Sequence, residues 1–158
     1  MESLQLCGSP ESVIRHYSNM VYRLAFARTG NISDAEDLYQ EVFLRYLTKA
    51  PSFTSEEHRK AWLLRVTVNC ANRFHSSLWR KRTEPLSEAL AFPAPEGEEL
   101  WEEIRLLPEK YRTILHLYYY EDLTTDEIAQ LLERTPATVR SQLTRARDRL
   151  KQLLLEEG

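Results

Sequence analysis

The 158-residue chain is poor in the residues that break helices, with four glycines and seven prolines. Most of it is therefore free to be helical. Its apolar stretches are short, and none approaches the ~20 residues needed to cross a bilayer, so membrane insertion is not expected. The first residues, MESLQLCGSPES, lack a basic n-region and an apolar h-region, which speaks against secretion. Only two cysteines occur, Cys7 and Cys70, and they form no C-x-x-C pair. The expectation is free thiols in a reducing cytoplasm rather than a disulfide or redox centre. Catalytic signatures are missing too: there is no nucleophile–base pair, phosphate-cradling loop or H-E-x-x-H spacing. His16, His58, His75 and His116 are scattered along the chain. The sequence thus points to a protein that is not an enzyme and needs no cofactor or metal.

What the chain does have is charge, arranged in blocks. Hydrophobic residues at 42% and charged residues at 28% describe a soluble globular protein. The net charge of −3 hides a segregation. From Arg59 to Arg82 there are seven basic residues and no carboxylate, and from Thr83 to Ile104 seven glutamates and no Lys or Arg. The segment TPATVRSQLTRARDRL, Thr135 to Leu150, is basic again, with four arginines. Two cationic segments separated by an anionic one suggest a polyanion touched at two places.

Apolar residues recur at helical spacing almost throughout, and nothing alternates as a strand, so the expected fold class is all-α. A first helix is expected over Glu11–Arg28, with Val13, Tyr17, Val21 and Leu24 inward. A second is expected from Ser33, capped by that serine with Glu36 at the capping-box position, to about Leu47. A third stretch follows from about His58 to Lys81. The segment 83–99, TEPLSEALAFPAPEGEE, holds three prolines, a glycine and acidic charge and reads as a flexible linker. Beyond it four helices are expected in close succession. The expected architecture is two small helical domains, 11–82 and 100–157, joined by that acidic strap, with residues 1–10 as a tail.

Thr124 and Glu127 form a capping box for a short helix carrying Ile128, Ala129, Leu131 and Leu132. Glu133, Arg134 and Thr135 then turn the chain, with Thr135 as N-cap and Pro136 in the first helical position. Two helices joined by so short a turn make a helix-turn-helix, whose second helix suits the major groove. In that helix Val139, Leu143, Ala146, Leu150 and Leu153 form one inward stripe. Arg140, Ser141, Thr144 and Arg145 lie on the opposite arc. Arginine suits bidentate contact with guanine, and Ser and Thr suit phosphates or bases. Arg147, Arg149 and Lys151 lie further along, toward DNA backbone or solvent. A solvated basic helix would show the same composition.

In SDAEDLYQEVFLRYL, residues Ala35, Leu38, Tyr39, Val42, Phe43 and Tyr46 make an apolar arc. Asp37, Gln40, Glu41 and Leu44 share the other side. One leucine ringed by acidic and amide groups fits a protein-docking face for a basic partner, and equally a solvated face with a stray leucine. A metal site built from Asp34, Glu36, Asp37 and Glu41 is disfavoured, because no histidine lies nearby and the acids point to different sides. The segment HRKAWLLRVTVNCANRFHSSLWRKR combines cations, aromatics and amides, a set suited to unpaired nucleic acid. Its candidates are Trp62, Arg65, Asn69, Asn72, Arg73, Trp79 and Arg80. For Trp62 a core role competes.

Together these parts, in this order, resemble the extracytoplasmic-function group of bacterial RNA polymerase sigma factors, in the sigma-70 superfamily. The blocks DAEDLYQEVFLR, AWLLRVTVN, LPEKYRTILHLYYYEDLTTDEIAQLL and TVRSQLTRARDRL carry the resemblance, from about Glu11 to Leu154. It implies region 2 at 11–82 and region 4 at 100–157. It implies docking of Asp37, Gln40 and Glu41 on the clamp helices of the polymerase β′ subunit, with Leu44 added from the helical projection. Contact of the second domain with the β flap is implied as well. Asn69 matches the amide that reads the single-stranded −10 element. The second domain would read the −35 element as duplex, through Arg140, Ser141 and Arg145, with Thr138, Gln142 and Thr144 beside them. An anti-sigma factor is implied as a further partner. Glu133 departs from the family's turn glycine and Arg134 from a buried aliphatic. Gln142, Thr144 and Arg73 also depart from the usual residues, so promoter sequence does not follow. The competing readings are a helix-turn-helix regulator that binds duplex operators without polymerase, and a carboxylate-dependent metalloenzyme acting on nucleic acid.

Overall fold

The computed structural model describes residues 9–73 and 101–157. These form α1 (Pro10–Thr29), α2 (Ile32–Lys49), α3 (Glu56–Arg73), α4 (Trp101–Ile104), α5 (Glu109–Leu115), α6 (Thr125–Leu132) and α7 (Pro136–Glu157). The expected linker at 83–99, and the stretch of the third helix beyond Arg73, lie outside the described residues.

Helix α1 begins one residue before the expected Glu11. Ser9 accepts a hydrogen bond from the Ser12 amide at 3.2 Å and Pro10 takes the first turn, where no amide donor is needed. The stripe Val13, Tyr17, Val21 and Leu24 is buried, and so are Tyr22, Ala25, Phe26 and Ala27. The second half of the helix is covered almost all round because α2, α3 and also α5 pack on it. Gly30 ends the helix at φ 71°, a left-handed position that glycine occupies without steric cost. Asn31 follows at once as the cap of α2, accepting from the Asp34 amide at 2.9 Å. Asn31 therefore takes the capping role expected of Ser33, which lies inside the first turn. Ala35, Leu38, Val42 and Phe43 of α2 are buried against α1 and α3, with Tyr39 and Tyr46 half-buried.

In the second half, α5 runs into a wider turn, His116–Tyr120, closed by an i→i+5 hydrogen bond from the Glu121 amide to the His116 carbonyl at 3.1 Å. Buried there, His116 Nε2 and Glu121 Oε2 lie 3.0 Å apart. The helix-turn-helix forms as expected. Glu127 donates its amide to Thr124 Oγ1 at 3.1 Å, and the Thr124 amide donates to Glu127 Oε1 at 2.9 Å. Glu133 closes α6 at φ 59°, a left-handed position that costs a non-glycine residue roughly 1–2 kcal/mol. Thr135 caps α7, accepting from the Thr138 amide at 3.1 Å. Val139, Leu143 and Ala146 are buried and Leu150 and Leu153 half-buried, the stripe expected from the projection.

The two halves share one continuous apolar cluster that runs from Val13 in α1 to Ala146 in α7. At the seam, Arg112 of α5 caps the end of α1. Its Nε donates to the Ala27 carbonyl at 2.7 Å, Nη2 to the Arg28 carbonyl at 2.9 Å, and Nη1 to Leu107 in its own half at 2.7 Å. Two carbonyls that a helix end leaves without intrahelical partners are thus satisfied by a cation, the sign the helix dipole favours. A Cβ on Gly30 would come to 3.6 Å of the same guanidinium. Arg28 reaches Thr113 Oγ1 at 3.3 Å and Glu109 at 3.9 Å, both on α5. Burial pushes the Arg28 and Arg112 pKa values below the usual one, an effect that Glu109 opposes.

Candidate nucleic-acid and protein interfaces

Three surfaces carry the residues singled out by sequence. On α2, Gln40 and Leu44 are exposed, and Asp37 and Glu41 are half-buried. Leu44 is 56% exposed, and Leu47, one turn on, is 54% exposed. The sequence reading missed Leu47, although its i+3 spacing from Leu44 was available as a signal. Glu41 Oε2 accepts from Arg45 Nε at 2.9 Å, which holds the carboxylate beside the apolar pair. The surface is thus a two-leucine strip with an acidic edge.

On α3, Arg65, Asn69 and Asn72 follow helical i, i+4, i+7 spacing and so share one face. Asn69 and Asn72 are exposed. Asn72 Oδ1 accepts a hydrogen bond from Arg28, whose other arm reaches α5. Arg65 points at the helix-turn-helix: it donates to Glu133 Oε2 at 3.2 Å and to the Gln130 carbonyl at 3.1 Å. Arg73 donates to Cys70 Sγ at 3.4 Å. Trp62 is half-buried, edge-on to Tyr46 at 6.0 Å and to Phe53 at 5.8 Å, so its core role is realised. Trp79 and Arg80 lie outside the described residues.

Between α2 and α3 the chain runs through a loop. It contributes Phe53, which stacks on Tyr46 at 6.3 Å and meets His58 at 5.1 Å. Arg59 lies over the Phe53 ring at 5.1 Å and is ion-paired to Glu56, which accepts from the Tyr17 hydroxyl at 2.7 Å. Arg59 is buried, so it packs the loop and adds nothing to the basic surface that the residue count suggested. No local pattern distinguishes that arginine from its exposed neighbours.

On α7, Thr138, Arg140, Ser141, Thr144 and Arg145 are exposed, as the projection requires. Gln142 is not on that face. It is 8% exposed, one position before Leu143 and three after Val139, and so falls on the packed side of the helix. The assignment of Gln142 to DNA contact is therefore corrected. Arg147 also has neighbours that the sequence did not reveal. Its Nε donates to the Tyr119 hydroxyl at 2.7 Å, and its guanidinium lies over Tyr118 at 5.4 Å. Arg149 lies over Tyr111 at 5.9 Å. Among the described residues, no group of three or more His, Cys, Asp or Glu side chains could hold a metal ion. No helix among them is long and apolar enough to cross a membrane.

Comparison with known proteins identifies the two halves. Residues 13–81 match the family of Sigma-70 region 2, and residues 97–150 that of Sigma-70, region 4. The ECF RNA polymerase sigma factor SigM of Bacillus subtilis is 30% identical over 155 residues, which cover 90% of this chain and 93% of the relative. The chain belongs to the ECF sigma factors. A second relative, the ECF RNA polymerase sigma factor SigE of Mycolicibacterium smegmatis, is 32% identical over 94% of this chain. The chain spans 62% of that relative's length. The sigma factor RpoE of Bartonella quintana, solved in complex with the anti-sigma factor NepR, shares the fold. Its TM-score is 0.70 at 20% identity, with 91% of this chain and 95% of that chain covered. ECF sigma factors are proteins of transcription initiation that direct RNA polymerase to promoters. In the helix-turn-helix of this sigma factor, the backbone at Glu133 adopts the left-handed conformation that glycine occupies without strain.

Proposed function

We propose that this sigma factor binds bacterial core RNA polymerase through α2 and reads promoter DNA with α7 and α3, without catalysing a reaction itself. The observation that carries the reading is the two-sidedness of α7. Arg140, Ser141, Thr144 and Arg145 are exposed on its N-terminal half, while Val139, Leu143 and Ala146 are buried opposite. That is the arrangement of a recognition helix in a major groove. In this reading Arg140 and Arg145 contact base edges of the −35 duplex, and Thr138, Ser141 and Thr144 contact bases or phosphates.

The α2 face of Asp37, Gln40, Glu41 and Leu44 docks on the β′ clamp helices, leucine as anchor and acids selecting a basic partner. The second half meets the β flap. Asn69, Asn72, Arg65 and Arg73 of α3 take the melted −10 strand, and Trp79 and Arg80 extend the same basic segment. Pulling bases from the duplex costs a few kcal/mol each. Base contacts and backbone cations offset this once docking holds the strand in place. An anti-sigma factor covering these faces would switch the protein off in the cytoplasm.

Run-off transcription with core polymerase on a genomic library, with start sites mapped, tests the reading. The expected result is initiation only when this protein is added, downstream of shared −35 and −10 elements. Tight sequence-specific duplex binding with no polymerase-dependent initiation would replace it with an operator-binding regulator.

A further inference from the structure

We infer that Tyr119, with Tyr118 beside it, is a positioning residue that holds Arg147 as a fixed grip on the DNA backbone. The inference rests on the proposed promoter reading and deepens it: base edges fall to Arg140 and Arg145, and phosphate to an arginine that the fold has set in place. Spacing alone left Arg147 between DNA backbone and solvent, and it assigned nothing to the three consecutive tyrosines, Tyr118 to Tyr120.

Those tyrosines stand on a turn that is held from within. The π-turn His116–Tyr120 is closed by the Glu121 amide on the His116 carbonyl at 3.1 Å, and the Leu123 amide donates to the Leu117 carbonyl at 3.1 Å. Inside it the buried His116 and Glu121 side chains meet at 3.0 Å, and Tyr120 stacks on the His116 ring at 5.2 Å. Tyr118 and Tyr119 stand edge to face, with 4.9 Å between ring centres. Wide turns of this kind recur at functional sites.

Arg147 is the group they hold. Its Nε donates to the Tyr119 hydroxyl at 2.7 Å, and its guanidinium lies 5.4 Å from the Tyr118 ring centre and 5.7 Å from that of Tyr119. An arginine kept for packing is covered, as Arg59 is; Arg147 is ordered by three contacts and still exposed. The bond through Nε leaves the two terminal nitrogens, whose fork matches a pair of phosphate oxygens.

Position along α7 decides what that fork meets. Arg140, Thr144 and Arg147 follow i, i+4, i+7 spacing and share one edge of the helix. At 1.5 Å per residue, Arg147 lies about 10 Å beyond Arg140 along the axis. The major groove is about 12 Å wide. When the N-terminal half of α7 reads bases, a side chain that far along stands at the groove wall, where the phosphates are. Contacts there set register and orientation and carry no sequence information. A free arginine surrenders rotamer freedom on binding, so holding it in advance lowers the ordering cost of the contact.

Fluorescence anisotropy of the full chain on a labelled random-sequence duplex of about 30 base pairs, at about 50 to 200 mM salt, tests both parts. Arg147→Ala is expected to weaken binding about tenfold at low salt and to reduce the slope of log K against log salt by about one. Tyr119→Phe keeps the ring and removes the acceptor, and is expected to weaken binding about threefold. Added to Arg147→Ala it should change nothing further, the mark of a residue that acts through another. Wild-type affinity and slope in Arg147→Ala overturn the grip. A Tyr119→Phe protein that binds like wild type overturns the positioning role, and so does a loss that persists in the Arg147→Ala background, which a merely structural role would produce. Absence of duplex binding by the wild type overturns the grip and the promoter reading together. Failure of the promoter reading alone looks different: run-off transcription is absent while duplex binding still depends on Arg147.

Discussion

Arg140 and Arg145 are exposed on the N-terminal half of α7, whereas Arg147 is held by Tyr119 and Arg149 lies over Tyr111. Replacing Arg140 or Arg145 by alanine is therefore expected to weaken binding of a −35 duplex by about 1–3 kcal/mol each and to relax sequence preference. Gln142→Ala should instead lower the melting temperature and leave the base preference alone. Gel-shift titration against substituted duplexes, beside a thermal melt, separates the two classes. A changed preference in the Gln142 variant would contradict its burial. Cys70 offers a second test at this scale. Burial pushes its thiol pKa up, so at neutral pH it is protonated and sheltered. It should react with a thiol reagent only when the chain unfolds, and rapid modification of native protein at this site would contradict the packing. The inward stripe of α7 was legible from spacing. Gln142 was not, because its type says surface while its angular position, beside Val139 and Leu143, says core.

Among the helices, α2 shows most clearly how amphipathic patterning maps onto surface and core. Its apolar arc is buried or half-buried as the spacing required, and its remaining face carries Leu44 and Leu47 with an acidic edge. Truncating Leu44 to alanine, or reversing charge with Asp37→Lys or Glu41→Lys, is expected to weaken core-polymerase binding about tenfold or more while the helix content stays intact. Surface plasmon resonance against immobilised core enzyme reads this out. Unchanged affinity in all three would remove α2 from the docking surface. The start of α2 was misread because Asn31 and Ser33 are both good caps. Asn31 takes the role because Gly30 ends α1 immediately before it, leaving Ser33 inside the first turn. The loop before α3 was not legible, since the meeting of Phe53, Tyr46, Trp62 and Arg59 is tertiary and leaves no periodic trace.

For the molecule as a whole, sequence separated the two helical halves but left their packing out of sight. The contacts from Arg112 to Ala27 and Arg28 span 85 and 84 residues, and no local pattern marks an arginine on α5 as the cap of α1. The acidic stretch between the halves suggested independence; the shared apolar cluster argues for coupling. A single cooperative heat-unfolding transition is therefore expected by calorimetry and circular dichroism alike. Two resolved transitions would show that the halves unfold separately.

The borrowed cap on α1 has one more consequence. A helix end completed by a distant residue frays when that residue departs, so the last turn of α1 acts as a gauge of the molecule's state. Backbone amides near Gly30 exchange with solvent in proportion to the time the seam spends apart. An open population of one in a hundred would read there as about hundredfold protection, whatever the slower exchange deep in either core. Any local opening of the seam can thus be followed in the exchange rate of a few backbone protons of the unmodified chain.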